Sequence, residues 1–215
     1  PETMQKNQDH HISLKPLFKK YIHMLQDPTF VKLGLLSALI LGGYISFISI
    51  SAYYYINVLH ISQSQQGLIT GLTVTSNVFG HLIVGGLVNR YGTLNVLKIG
   101  MTMIAIGLVM ICIVTATDTY QIFFIALPVA FISGALGFVF PPTTAMAIQS
   151  YRSSTGTAAA LLGWIRMMGI TIATWLAGVL YYETLLTTMV VIFGCCILAL
   201  IVFMQLRPHL TEEAH

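Results

Sequence analysis

The sequence predicts an all-α membrane protein whose six transmembrane helices form two inverted three-helix repeats, and three observations carry that prediction. The chain is 56% hydrophobic and only 8% charged, whereas soluble domains carry about 25% Asp, Glu, Lys and Arg. From Leu33 to Asn89 it holds no Asp, Glu, Lys or Arg at all, a stretch long enough to cross a bilayer twice at about 20 residues per crossing. Apolar segments fall at about 30–58, 65–88, 94–115, 120–148, 157–180 and 184–206, separated by polar or Gly/Pro-containing turns. Each far exceeds the roughly 9–11 residues of a membrane strand, and hydrocarbon offers no partner to a free backbone group, so each is read as a helix.

Residues 1–27 read as a cytoplasmic linker, 28–206 as the six-helix domain and 207–215 as a cytoplasmic tail. The opening PETMQKNQ has neither an initiating methionine nor an apolar signal core, so a longer parent protein is expected. Within the linker, SLKPLFKKYIHMLQDP sets Leu14, Leu17, Phe18, Tyr21, Ile22 and Leu25 at helical spacing, with Lys15, Lys19, Lys20 and His23 between them. Such a helix lies on an anionic inner leaflet; a partly ordered linker is the alternative. Asp27 and Pro28 form the cap and first-turn pair that starts span one.

Span one carries Ser37, Tyr44 and Ser51 seven residues apart on one face, with Phe47 and Tyr54 beside them, and it is interrupted by Gly42 and Gly43. Span two presents Gly67 and Gly71 and one histidine, His81. Span four is interrupted by Pro128, Gly134, Gly137, Pro141 and Pro142 and repeats Phe124, Phe131 and Phe138 at seven-residue spacing. Interruptions in the first helix of each triplet point to a transport site between repeats; glycine packing between membrane helices is the alternative. Span five holds Arg166 on a face with Ala159, Gly163, Gly169 and Ala173, and span six ends the domain.

The connections alternate in charge. HISQSQQ, TATDTYQ and YYET contain no Lys or Arg and include Asp118 and Glu183, whereas every basic residue except Arg166 lies in the other two loops, at their edges or in the tails. The positive-inside rule therefore puts both termini and the second and fourth loops in the cytoplasm. Arg166 breaks this pattern. A central arginine costs about 2.5–3.5 kcal/mol on insertion scales unless water, an anion or a carboxylate compensates it. A place on the pathway or against another lobe is expected for it, snorkelling to the headgroups being the alternative. His81 is the other group in the spans able to change charge near neutral pH, either as a proton coupler or as a neutral, hydrogen-bonded imidazole. No Asp or Glu lies within any expected span, so a coupling carboxylate is expected outside this chain.

The residues GGLVNRYGTLNVL at 85–97 resemble the loop GxLaDRxGrkxxL that joins the second and third helices of each half of the major facilitator superfamily. Asn89 stands at the usual Asp, and Thr93 and Leu94 replace the basic pair. With DPTF, FISISAYYY, HISQSQQGLITGL and GTAAALLGWIRMMG, nearly the whole chain is similar to the carboxyl-terminal half of the bicyclomycin and chloramphenicol efflux (Bcr/CflA) drug/proton antiporters. Ala52 departs from a frequent Pro there, and Arg166 from a neutral polar residue. The resemblance implies helices seven to twelve of a twelve-helix transporter of a bacterial cytoplasmic membrane, one half of a major facilitator fold. It implies proton-coupled efflux of small amphiphilic molecules by alternating access, with a further six-helix half, protons and the bilayer as partners. Substrate contacts then fall to Tyr44, Phe47, Ser51, Tyr54, Phe131, Phe138 and Arg166. His81 is the candidate proton coupler, and Gly86, Asn89, Arg90 and Gly92 form the conformational loop motif.

Other classes find little support. Cys112, Cys195 and Cys196 lie in apolar segments without metal-ligand spacing, so no metal or cofactor is expected and the thiols read as small buried hydrophobes. The net charge of +3 is scattered over short loops rather than gathered on one face, which argues against a nucleic-acid partner. An intramembrane serine hydrolase needs a GxSG-like turn that Ser133 in AFISGALG lacks, and no GxxxxGK[ST] loop supports ATP-driven transport. Enzyme activity is therefore not expected. The nearest rival stays within the fold: transport of one anionic metabolite or metal-chelating molecule, with Arg166 as counter-ion.

Overall fold

A computed structural model describes residues 14–117, 122–182 and 185–212. Linker residues 1–13, Asp118, Glu183 and residues 213–215 lie outside the described residues. A short helix α1 (Leu14–Gln26) precedes α2 (Pro28–Asn57), α3 (Gln63–Tyr91), α4 (Thr93–Ala116), α5 (Ile122–Gln149), α6 (Thr155–Val179) and α7 (Leu185–Glu212). Six of these are long and apolar enough to cross a membrane.

Their ends follow local chemistry. The Asp27 carboxylate accepts the Thr29 amide at 2.9 Å and Pro28 opens α2, satisfying an orphan donor where proline's missing N–H costs nothing. Ser62 and Gln65 form a reciprocal capping box at the start of α3. Gly92, at φ 80°, closes α3 and opens α4 in a single residue, a conformation that a side chain would strain.

The helices pair selectively. α2 packs chiefly on α6 and α7, α5 chiefly on α3 and α4, and α2 also touches α5. Two crossings bring backbones together where lipid offers no hydrophobic drive, so small residues and interhelical hydrogen bonds must hold them. At the α2–α6 crossing a Cβ on Gly42 would meet the Gly169 carbonyl at 2.9 Å, and one on Gly169 would meet Ala38 at 2.8 Å. At the α3–α5 crossing Gly80 faces Gly134 and Gly137. There Ser76 Oγ donates to the Ala130 carbonyl at 2.8 Å, Asn77 Nδ2 to that of Ser133 at 2.9 Å and Ser133 Oγ to that of Thr73 at 2.8 Å.

Outside these crossings α3 and α6 are the least covered spans. Leu68, Leu72 and Leu82 on α3 and Trp164, Met167 and Trp175 on α6 are exposed, and space opens beside Gly67, Gly71 and Gly163. The expected small-residue face of α6 is thus divided, with Gly169 and Ala173 against α2, Gly163 open and Ala159 exposed. The thiols also divide. Cys196 is buried and Cys195 half-buried, but Cys112 is exposed and lines an apolar groove of about 520 Å³ between α4 and α7 with Leu108, Phe193 and Leu200. The expectation that all three are buried fails at Cys112, since an outward-facing apolar groove suits a thiol as well as a core does.

Ahead of α2, α1 turns Met24 into the bundle and leaves Phe18, Lys19, Lys20, Ile22 and Leu25 exposed. Tyr151, in the turn between spans, donates its hydroxyl to the Asp27 carboxylate at 2.8 Å. Its ring meets those of Phe30 and His23 edge-on. Partial burial, then the carboxylate beside it, pushes the phenol up to about 12, so this tie between the start of α2 and the α5–α6 turn persists across the physiological pH range.

Candidate functional site

Arg166 lies in the middle of α6, about 16 Å from its start at 1.5 Å per residue, and is 6% exposed. Side chains on a helix tilt toward its N-terminus, which carries the guanidinium back toward the level of Ser37 on α2 and Thr144 on α5. Nε donates to Ser37 Oγ at 2.9 Å and Nη2 to Thr144 Oγ1 at 2.7 Å. Both hydroxyls commit their own hydrogens to helix carbonyls, Ser37 to Gly34 at 2.9 Å and Thr144 to Phe140 at 2.7 Å, so each offers only lone pairs to the cation. The Phe140 ring completes the cage, with Arg166 Cζ 3.8 Å from its centroid, well inside cation–π range. Nη1 has no hydrogen bond, and no carboxylate pairs with Arg166 among the described residues. Hydroxyl dipoles and a ring quadrupole therefore hold a positive charge that nothing here neutralises.

His81 reaches the same ring. It is exposed on α3, and its ring centroid lies 6.3 Å from that of Phe140. Its Nδ1 lies 2.9 Å from the Asn77 carbonyl of its own helix, an acceptor only, so Nδ1 is the donor in that contact.

The other expected contacts lie elsewhere. Tyr44, Phe47, Ser51 and Tyr54 are buried along α2; the Tyr44 hydroxyl has no partner among the described residues and Ser51 Oγ turns back to the Ile48 carbonyl. Phe131 is half-buried on α5, and Phe138 packs with Val84 and Val96 between α3 and α4. Gly86, Asn89, Arg90 and Gly92 are exposed at the α3–α4 turn. Phe140 and Thr144 were not among the expected site residues. The signal for Thr144 is a hydroxyl just beyond Pro141 and Pro142 at a depth that a tilted Arg166 reaches.

Residues 33–214 match the Major Facilitator Superfamily. The chain belongs to that superfamily. Comparison with curated proteins and with solved structures gives no match. Six apolar helices are consistent with half of a major facilitator fold, and membership indicates a membrane transporter of small molecules rather than an enzyme. In a major facilitator chain, a desolvated cation with open donors where three helices meet can bind an anion, orient an amphiphile against an aromatic ring, or pair with a second lobe.

Proposed function

We propose that this chain supplies helices seven to twelve of a Bcr/CflA-type drug/proton antiporter, with α2, α5 and α6 lining the pathway around Arg166. The carrying observation is the uncompensated guanidinium buried at mid-span between Ser37, Thr144 and Phe140, because an intramembrane charge of this kind is retained for substrate or ion contact. Exchange of the triplets α2–α4 and α5–α7 converts the pairings α2·α6 and α2·α7 into α5·α3 and α5·α4, which supports an inverted repeat. Alternating access then rocks this half against a further six-helix half, and the open faces of α3 and α6 are the surfaces available to it. Tyr44, Phe47, Ser51, Tyr54, Phe131 and Phe138 become substrate contacts only if that rocking opens the core around them.

Transport of one anionic solute is a second reading, favoured by the absence of an acidic partner for Arg166 among the described residues. In proteoliposomes with an imposed proton gradient, the chain joined to its upstream half should expel a lipophilic drug, and the chain alone should insert without flux. Flux from the chain alone, or none from the joined halves, counts against the proposal.

Orientation has its own test. In the bacterial cytoplasmic membrane, Gln63→Cys should react with an impermeant thiol reagent added outside intact cells, and Ser153→Cys should not. Both positions are exposed at helix ends, so labelling of Ser153→Cys would reverse the topology.

A further inference from the structure

The surface of α1 divides into three faces. Met24 is buried and Tyr21 half-buried where the helix packs on α2 and α6. Phe18, Ile22 and Leu25, at i, i+4 and i+7, form a second stripe that points away from the bundle, with Phe18 67% exposed. Lys19, Lys20 and His23 are exposed on the rest of the circumference. Packing on the bundle therefore uses only part of the apolar surface of α1, and the remainder stays open beside its lysines.

The position of the helix identifies what covers that stripe. α1 ends at Gln26, one residue before the Asp27 cap of the first membrane-spanning helix. The bond from the Tyr151 hydroxyl to Asp27 ties the same point to the turn between α5 and α6, so α1 is fixed at the height where spans meet the membrane surface. Its charge is of one sign: the helix holds three lysines and no Asp or Glu. The carboxylate that follows it, Asp27, is already engaged by the Thr29 amide and the Tyr151 hydroxyl, and Arg152 in the adjoining turn is exposed. A soluble anion would meet the lysines and leave the stripe in water, and a neutral lipid would cover the stripe and leave the lysines unanswered. An anionic phospholipid answers both, with its phosphate at the ammonium groups and its acyl chains on the apolar face.

We infer that α1 is a docking surface for anionic phospholipid, with headgroups held at Lys19 and Lys20 and acyl chains against Phe18, Ile22 and Leu25. Because Met24 and Tyr21 fix α1 to the bundle, the lipid is held by the folded body rather than by a loose tether. The inference uses no residue of the Arg166 site and does not depend on the transport reading.

Lipid enrichment around α1 tests it. The full chain, with its three native cysteines changed to Ala, carries a fluorophore at Gln26→Cys and is placed in phosphatidylcholine nanodiscs. These contain a small fraction of either phosphatidylglycerol or phosphatidylcholine bearing a nitroxide quencher near the headgroup. Labelled phosphatidylglycerol should be enriched at the fluorophore by at least about fivefold over labelled phosphatidylcholine, the value of one lysine beside an anionic lipid surface. A fluorophore at Gln63→Cys, at the start of α3, should be quenched equally by the two lipids. Lys19→Gln with Lys20→Gln should remove the preference at Gln26→Cys and leave quenching by phosphatidylcholine, while Phe18→Ser, Ile22→Ser and Leu25→Ser together should lower quenching by both lipids. Equal quenching by the two lipids at Gln26→Cys, a preference that survives loss of both lysines, or quenching untouched by the three serines would each overturn the inference. So would quenching by neither lipid, the result expected if water or another protein segment covers the stripe.

Discussion

Gly137→Ala should destabilise the bundle by of order 3–5 kcal/mol, and in detergent it should melt far below the parent. A Cβ at Gly137 would meet the backbone of Gly80 and His81, atoms that cannot rotate aside as a flexible side chain can, so α3 and α5 must part. Overpacking costs about 1–3 kcal/mol. The separation also strains three interhelical hydrogen bonds, those of Ser76, Asn77 and Ser133, each worth about 0.6 kcal/mol on average in a membrane. Gly194→Ala on α7 is the matched control, because nothing lies within 4 Å of its new methyl. Its melting should equal the parent's. A Gly137→Ala protein that melts with the parent would show that the α3–α5 contact does not limit stability.

The six spans were legible because hydrocarbon excludes charge and unpaired backbone alike, so apolar length alone marks a crossing. Their ends were less so. α3 continues to Tyr91 and α7 to Glu212, beyond the apolar runs at 65–88 and 184–206, since hydropathy marks the membrane and not the helix, which stops where a residue such as Gly92 turns the chain. Arg166 stood out in the sequence for its depth, but its partners did not. Periodicity orders residues around one helix and says nothing of which neighbour that face meets. Ser37 shares a face with Tyr44 and Ser51 by spacing, yet only Ser37 bonds to Arg166, because α6 crosses α2 closely at Ala38 and Gly42. Phe138 and Phe140 illustrate the same limit. The seven-residue repeat singled out Phe138, which packs between α3 and α4, whereas Phe140, two residues on, carries the cation.

Arg166→Leu should lower transport by about tenfold to a hundredfold, while the protein inserts and melts as the parent does. The fold loses little, because the two hydrogen bonds and the ring contact that Arg166 gives up are offset by the desolvation cost of the buried charge, which leucine does not incur, and Ser37 and Thr144 keep their bonds to the carbonyls of Gly34 and Phe140. Function loses more: a hydrogen bond to a charged group is worth about 1.5–3 kcal/mol, and about 1.4 kcal/mol is a factor of ten. Arg166→Lys keeps the charge but lacks the planar fork that spans Ser37 and Thr144 while leaving Nη1 open, so a loss of about tenfold is expected. The decisive measurement is proton-driven flux of Arg166→Leu against the parent, each joined to its upstream half in proteoliposomes, normalised to inserted protein. A flux at least tenfold below the parent is the expected result; equal flux would contradict the placing of Arg166 on the pathway.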